Sequence, residues 1–195
     1  MTDLSDLLRS LLSVTPEEIA ERIPQSDFKE IVIQENNQAI IAMEKGEGHE
    51  IAHSLDQIIT WEVAFKKKLT DCLSASQDPP VDQQILEHII DLLGIVNNQR
   101  LLLVNQFSEW IINSFEQANV LGALNSQQSE EKVRKIEDVV RITCDHFRSI
   151  DDPQDLHLTG VVSDTIEAIE NSIEMAKDML EETKAGDPFP RIRLG

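Results

Sequence analysis

The stretch DQQILEHIIDLLGIVNNQRLLLVNQFSEWIINSFEQANVLG, Asp82 to Gly122, decides the fold. It contains no proline, and its apolar residues recur by threes and fours. Ile85, Ile89, Leu92, Val96 and Leu103 form one row. Leu86, Ile90, Leu93, Val104, Ile111, Phe115 and Ala118 form a second row beside it. That spacing is helical, and so wide an apolar arc belongs to a helix covered on most sides. At 1.5 Å per residue, about 40 residues span roughly 60 Å. The expectation is an all-α fold: an elongated antiparallel helical bundle with this long central helix as its spine.

Working outward, helix signals continue on both sides. Residues 2–12 place Leu4, Leu7, Leu8, Leu11 and Leu12 on one face. Thr15, Pro16 and Glu18 make a capping box for a second short helix that Pro24 ends. Ser26 or Asp27 then caps a helix to about Glu44, with Phe28, Ile31, Val32, Ala39, Ile40 and Met43 as its buried set. Gly46 and Gly48 break it. From about His49 to Ser74, Ile51, Leu55, Ile58, Phe65, Leu69 and Cys72 form a bundle seam in which Glu62 is the polar intruder. Asp78, Pro79 and Pro80 turn the chain into the spine.

Beyond Gly122 the segment NVLGALNSQQS reads as a connection, followed by a helix over about 130–147. Asp152 and Pro153 restart a last helix, in which Val162, Ile166, Ile169, Ile173, Ala176 and Leu180 step by four and three. The pattern divides the chain into short N-terminal helices over 1–24, a core bundle over 25–122, a C-terminal helical pair over 126–185 and a flexible tail over 186–195.

Composition narrows the function classes. Against 36 Asp and Glu stand 17 Lys and Arg, a formal charge of −19. Phosphate backbones and anionic membrane surfaces repel such a chain, whereas basic protein segments are attracted to it. Six Phe, two Trp and no Tyr leave little for base stacking. Cys72 and Cys144 match no metal-binding spacing and are expected as small apolar residues in a reducing cytoplasm. The first residues carry acid where a secretion signal carries base, and no segment has the length of a membrane span.

One catalytic pattern is present. His49-Glu50-Ile51-Ala52-His53 has the HExxH form, in which two histidines one turn apart bind zinc and the glutamate activates water. A zinc-dependent hydrolase using His49, Glu50 and His53 is therefore the enzymatic alternative. Both histidines fall opposite the Ile51, Leu55 and Ile58 stripe, toward solvent, and no third ligand is picked out downstream. No Gly-rich phosphate loop or triad-like grouping accompanies them, so the expectation is no catalysis and no cofactor. Lys66-Lys67-Lys68 is expected to be a solvated face paired with carboxylates. Asn97 falls in an apolar row of the spine, where a polar side chain can fix register or partner choice.

The segment VIQENNQAIIAMEKGEGHEIAHSLDQIITWEVAFKKKL, with Glu35 ahead of Ala39-Ile40, a short break and a second helix ending in lysines, resembles the FlgN-type flagellar export chaperones. IVNNQRLLLVNQFSEWIINSFEQA is similar to that family's closing helix, so the resemblance covers about residues 28–118. Where the family has a second asparagine three positions before Asn97, this chain has Gly94. The resemblance implies a cytoplasmic chaperone that binds the helical end of a secreted protein. A rival resemblance, to PhoU-type helical regulators, comes from KIEDVVRITCDHF and DLHLTGVVSDTIEAIENSIEMAKDML, without that family's paired acidic metal motifs.

The resulting expectation is a protein that holds a partner's amphipathic helix, or a second copy of itself. Asn97, Ile166, Ile169, Ile173, Ala176 and Leu180 are the expected contact residues.

Overall fold

The computed structural model describes residues 24–74 and 83–184. The helices expected before Pro24, the Pro79-Pro80 turn and the tail lie outside the described residues. Five α-helices account for almost all of the rest: α1 Gln25–Lys45, α2 Gly48–Ser74, α3 Gln83–Gly122, α4 Ser126–Ile150 and α5 Leu156–Lys184. No strand occurs among the described residues, and the chain is an all-α bundle.

The centre of the bundle is a pair of helices. Both α2 and α3 touch all four of the others, while α1 packs mainly on that pair and α4 and α5 also touch each other. The 40-residue α3 was expected as the spine, and it shares that place with α2. The core is one continuous cluster with members from all five helices, including Val139, Phe147, Ile169 and Leu180 from the C-terminal pair. The connection after Gly122 therefore does not divide the core. Only Ala123, Leu124 and Asn125 separate α3 from α4, and the N–H groups of Leu124 and Asn125 close onto the Leu121 carbonyl.

Most of the expected interior is realised. Phe28, Ile31, Val32, Ala39, Met43, Ile51, Leu55, Ile58 and Phe65 are buried, with Ile40 half-buried. Phe28 meets Trp61 and Phe65 edge to face, with ring centroids 5.5 and 5.6 Å away. Such pairs add about 0.5–1.5 kcal/mol to the burial itself. On α3 the rows hold from Ile89 to Ala118, but Ile85 and Ile90 near its start are exposed.

The helix ends follow local chemistry. Gly46 closes α1 in the left-handed region (φ 73°), donating to Met43 O, while Glu47 N–H reaches Ala42 O at 2.9 Å. That is a Schellman closure, which favours glycine. Gly48 has a different role. A Cβ there would lie 3.0 Å from the Val139 carbonyl and 3.2 Å from Ile142 Cβ, so glycine lets α2 begin hard against α4.

Two boundaries differ from expectation. The α4 helix starts at Ser126 because Asn125 Oδ1 accepts from the N–H groups of Gln127 and Gln128. The α5 helix starts at Leu156, not at Pro153, because Asp155 Oδ1 accepts from Leu158 N–H at 3.2 Å and acts as its cap. Burial would raise the Asp155 carboxyl, but Lys67 and the N–H groups of Leu158 and His157 hold it below the usual carboxylate range.

Candidate protein-binding groove and buried polar pair

The most polar spot in the core joins the two central helices. Glu62 on α2 is fully buried, and Arg100 on α3 is 5 % exposed. Arg100 Nε donates to Glu62 Oε2 at 2.6 Å, and its Nη2 reaches Glu62 Oε1 at 3.5 Å. The remaining guanidinium hydrogens point to Thr165 Oγ1 on α5 at 3.4 Å and to Asn97 Oδ1 at 3.5 Å. Lys66, one turn beyond Glu62, contributes its Nζ to Oε1 at 2.7 Å. Every member has a partner, which is the condition for a buried charge to be tolerated. Reaching solvent through Lys66, the cluster ties α2, α3 and α5 together and sets their register.

Asn97 is thereby placed: half-buried, facing Arg100 from its own helix. Arg100 itself is not apparent from composition or motifs. The available signal was its position, four residues after Val96 and three before Leu103, inside the first apolar row and opposite the intruding Glu62.

A second amide link ties α1 to α3. Asn36 Nδ2 donates to Gln99 Oε1 at 2.6 Å and to the Gln99 carbonyl at 3.2 Å. The lysine run is paired with carboxylates as expected, Lys66 with Glu62 and Lys67 with Asp155, but only Lys67 is exposed, Lys66 and Lys68 being half-buried.

The heptad stripe of α5 is packed inward. Val162, Ile169, Ile173, Ala176 and Leu180 are buried and Ile166 is half-buried, against the core built by the other helices. Ser172 and Ser108 hydroxyls meet at 2.8 Å, and the pairs Lys177–Glu137 and Arg148–Glu170 fasten α5 to α4 at the surface. A partner seated on the whole stripe would first have to lift α5 off.

The end of that stripe does open to solvent. Ala176, Met179 and Leu180 of α5, with Ile112, Phe115, Glu116, Asn119 and Val120 of α3, line a groove of about 310 Å³. Its floor is buried Phe115 and Ala176, and its rim is Val120, 68 % exposed. Glu116 is the single charged residue of the lining, in a chain with a formal charge of −19. A nearly uncharged, largely apolar groove of this kind is suited to receive side chains from an amphipathic helix.

The HExxH residues lie apart from this groove. His49, Glu50 and His53 are all exposed. His49 and Glu50 border a hollow at the α1–α2 turn together with Gln38, Lys45 and Gly48. Among the described residues no three His, Cys, Asp or Glu side chains are grouped to hold a metal ion. His53 instead faces Glu35 on α1, whose carboxyl is pushed up by burial and partly restored by His53 and a hydrogen bond from Ser54.

Neither cysteine is in a disulfide. Cys144 is buried and its thiol is pushed up to about 11, chiefly by burial and then by Glu170, while Cys72 is half-buried. None of the described helices is long and apolar enough to cross a membrane.

The fold and the groove define a class: an all-α bundle with a buried Glu62–Arg100 pair in its core and an apolar groove between two of its helices. Compared with known proteins, the chain finds no matching family model, no matching curated protein and no matching solved structure.

Proposed function

We propose that this chain is a non-enzymatic, chaperone-like protein that holds an amphipathic helix of a partner in the groove between α3 and α5. The observation that carries this reading is the nearly uncharged lining of that groove, open at Val120, in so acidic a chain. Burying apolar side chains there drives association. Glu174, Asp178 and Glu181 nearby on α5 are exposed, so a partner helix with basic flanks is favoured over an acidic one.

The FlgN-type resemblance of residues 28–118 supports a partner of the export-substrate kind, presenting a helical end. The two free cysteines support a cytoplasmic setting.

Co-purification from native cells tests the reading. Val120→Asp places a charge on the groove rim, while Leu124→Asp changes a residue that is 84 % exposed and outside the groove. The partner should be lost with Val120→Asp and kept with Leu124→Asp. Equal recovery with both variants contradicts the assignment.

A further inference from the structure

The side of α3 turned away from its core contacts carries a second, different surface. Between Asp91 and Glu109, Arg100 is the one charged residue of the helix, and it is buried. Those 18 steps span about 27 Å. Asn98, Leu102 and Asn105 lie on this outer side, and Ile95, packed in part against the core, borders it, in steps of three, four and three. Asn98 and Asn105 are exposed, Leu102 is 46 % exposed and Ile95 is half-buried. Leu101 beside them is also 46 % exposed, and a Cβ at the exposed Gly94 would meet nothing within 4 Å.

We propose that this strip is where a second copy of the chain docks, α3 against α3 in parallel across a two-fold axis. Two arguments select a second copy over an unrelated partner.

The first is charge. Two chains at −19 repel over most of their surfaces, and this strip is a place where their helices can approach without bringing carboxylates together. Asp91 and Glu109, both exposed, continue the same row and would face their own copies, so they confine the seam to the residues between them.

The second is the amides. A side-chain amide is donor and acceptor at once, so it pairs with its own copy. In a parallel pair Asn98 meets Asn98 and Asn105 meets Asn105, with Ile95 and Leu102 likewise matched to themselves. This is how seam asparagines fix register and oligomer state in paired helices. An antiparallel pair centred on the strip would set Asn98 against Leu102 and leave the amides facing aliphatic side chains. Gly94 lets the two backbones come close at one end of the strip.

Sedimentation velocity of the full chain over a range of concentrations, at low and high salt, reads the outcome. Because repulsion between the copies opposes association, dimer should increase as salt shortens the screening length from about 10 Å at 0.1 M to about 3 Å at 1 M. Leu102→Asp should weaken the dimer at least about tenfold, since it would bury an unpaired charge in the seam. With Leu102 half exposed in the single chain, its helix content by circular dichroism should stay unchanged.

In a Cys72→Ser background, Asn98→Cys should form a covalent dimer under mild oxidation faster than Leu124→Cys, which lies off the strip. A chain that is monomeric at every concentration and salt overturns the proposal. So does a dimer indifferent to Leu102→Asp, or an Asn98→Cys chain that cross-links no faster than Leu124→Cys. A different protein captured on this face without any dimer also overturns it. Val120→Asp should leave the dimer intact, which separates this surface from the α3–α5 groove.

Discussion

Arg100 Nε lies 2.6 Å from Glu62 Oε2, and the bond joins the two helices that each touch all the others. Because both groups are buried, removing one strands the other. Glu62→Leu should cost about 3–5 kcal/mol in urea unfolding, since Arg100 keeps only its long contacts to Thr165 and Asn97. Arg100→Leu should cost less, because Lys66 still reaches Glu62. The double variant should recover much of either loss. Strictly additive losses would show that the two side chains do not depend on each other.

Glu35 gives a pH dependence of definite sign. Burial raises its carboxyl in the folded chain, so the folded state holds the proton more tightly than the unfolded one. Its contribution is favourable at low pH and is lost as pH rises through the folded value. Glu35→Gln should therefore be more stable than the parent near pH 7, with the difference shrinking toward about pH 3, where the parent carboxyl is protonated in both states. Denaturant midpoints at the two pH values check this. A Gln variant less stable at neutral pH would mean that the interactions with His53 and Ser54 outweigh the burial.

The two thiols should react very differently. Cys144 is buried with its thiol pushed up to about 11, whereas Cys72 is half-buried on α2. Near neutral pH a thiol reagent should label one site quickly and the second only on unfolding, with peptide mapping placing the fast label at Cys72. Equal labelling rates in the native chain would contradict the packing of α4.

Three glycines should respond with three outcomes. Gly160 is exposed within α5 with open space around a would-be Cβ, so Gly160→Ala should stabilise by about 0.5–1 kcal/mol. Gly46 has φ 73°, and Gly46→Ala should destabilise by about 1 kcal/mol. Gly48→Ala must push α2 away from the Val139 backbone and should cost more than the other change. Thermal unfolding of the three variants orders them.

Much of this architecture is legible in the chain because helix periodicity and burial are the same signal. Ile51, Leu55, Ile58, Ile89, Val96 and Ile111 are apolar at helical spacing and are in the core. What was hidden was pairing. Glu62 reads as an intruder in its seam and Arg100 goes unremarked inside an apolar row, and only the crossing of α2 and α3 shows that each is the other's counter-charge. The start of α5 was misplaced for a related reason: Asp152-Pro153 is a valid local start, but Asp155 is held by Lys67 from another helix. At the candidate site, Ala176 and Leu180 were legible as apolar α5 positions. Their use was not, since the same stripe is core along most of its length and groove only where Val120 leaves it open.

The central claim is that the groove between α3 and α5 holds a partner's helix. A photo-reactive phenylalanine analogue placed at position 120 in native cells, with the adducts mapped by mass spectrometry, tests it most directly. The account predicts adducts to one helical, apolar-faced segment of another protein, absent when the same analogue is placed at position 124. No adduct at position 120, or the same adducts from both positions, would contradict it.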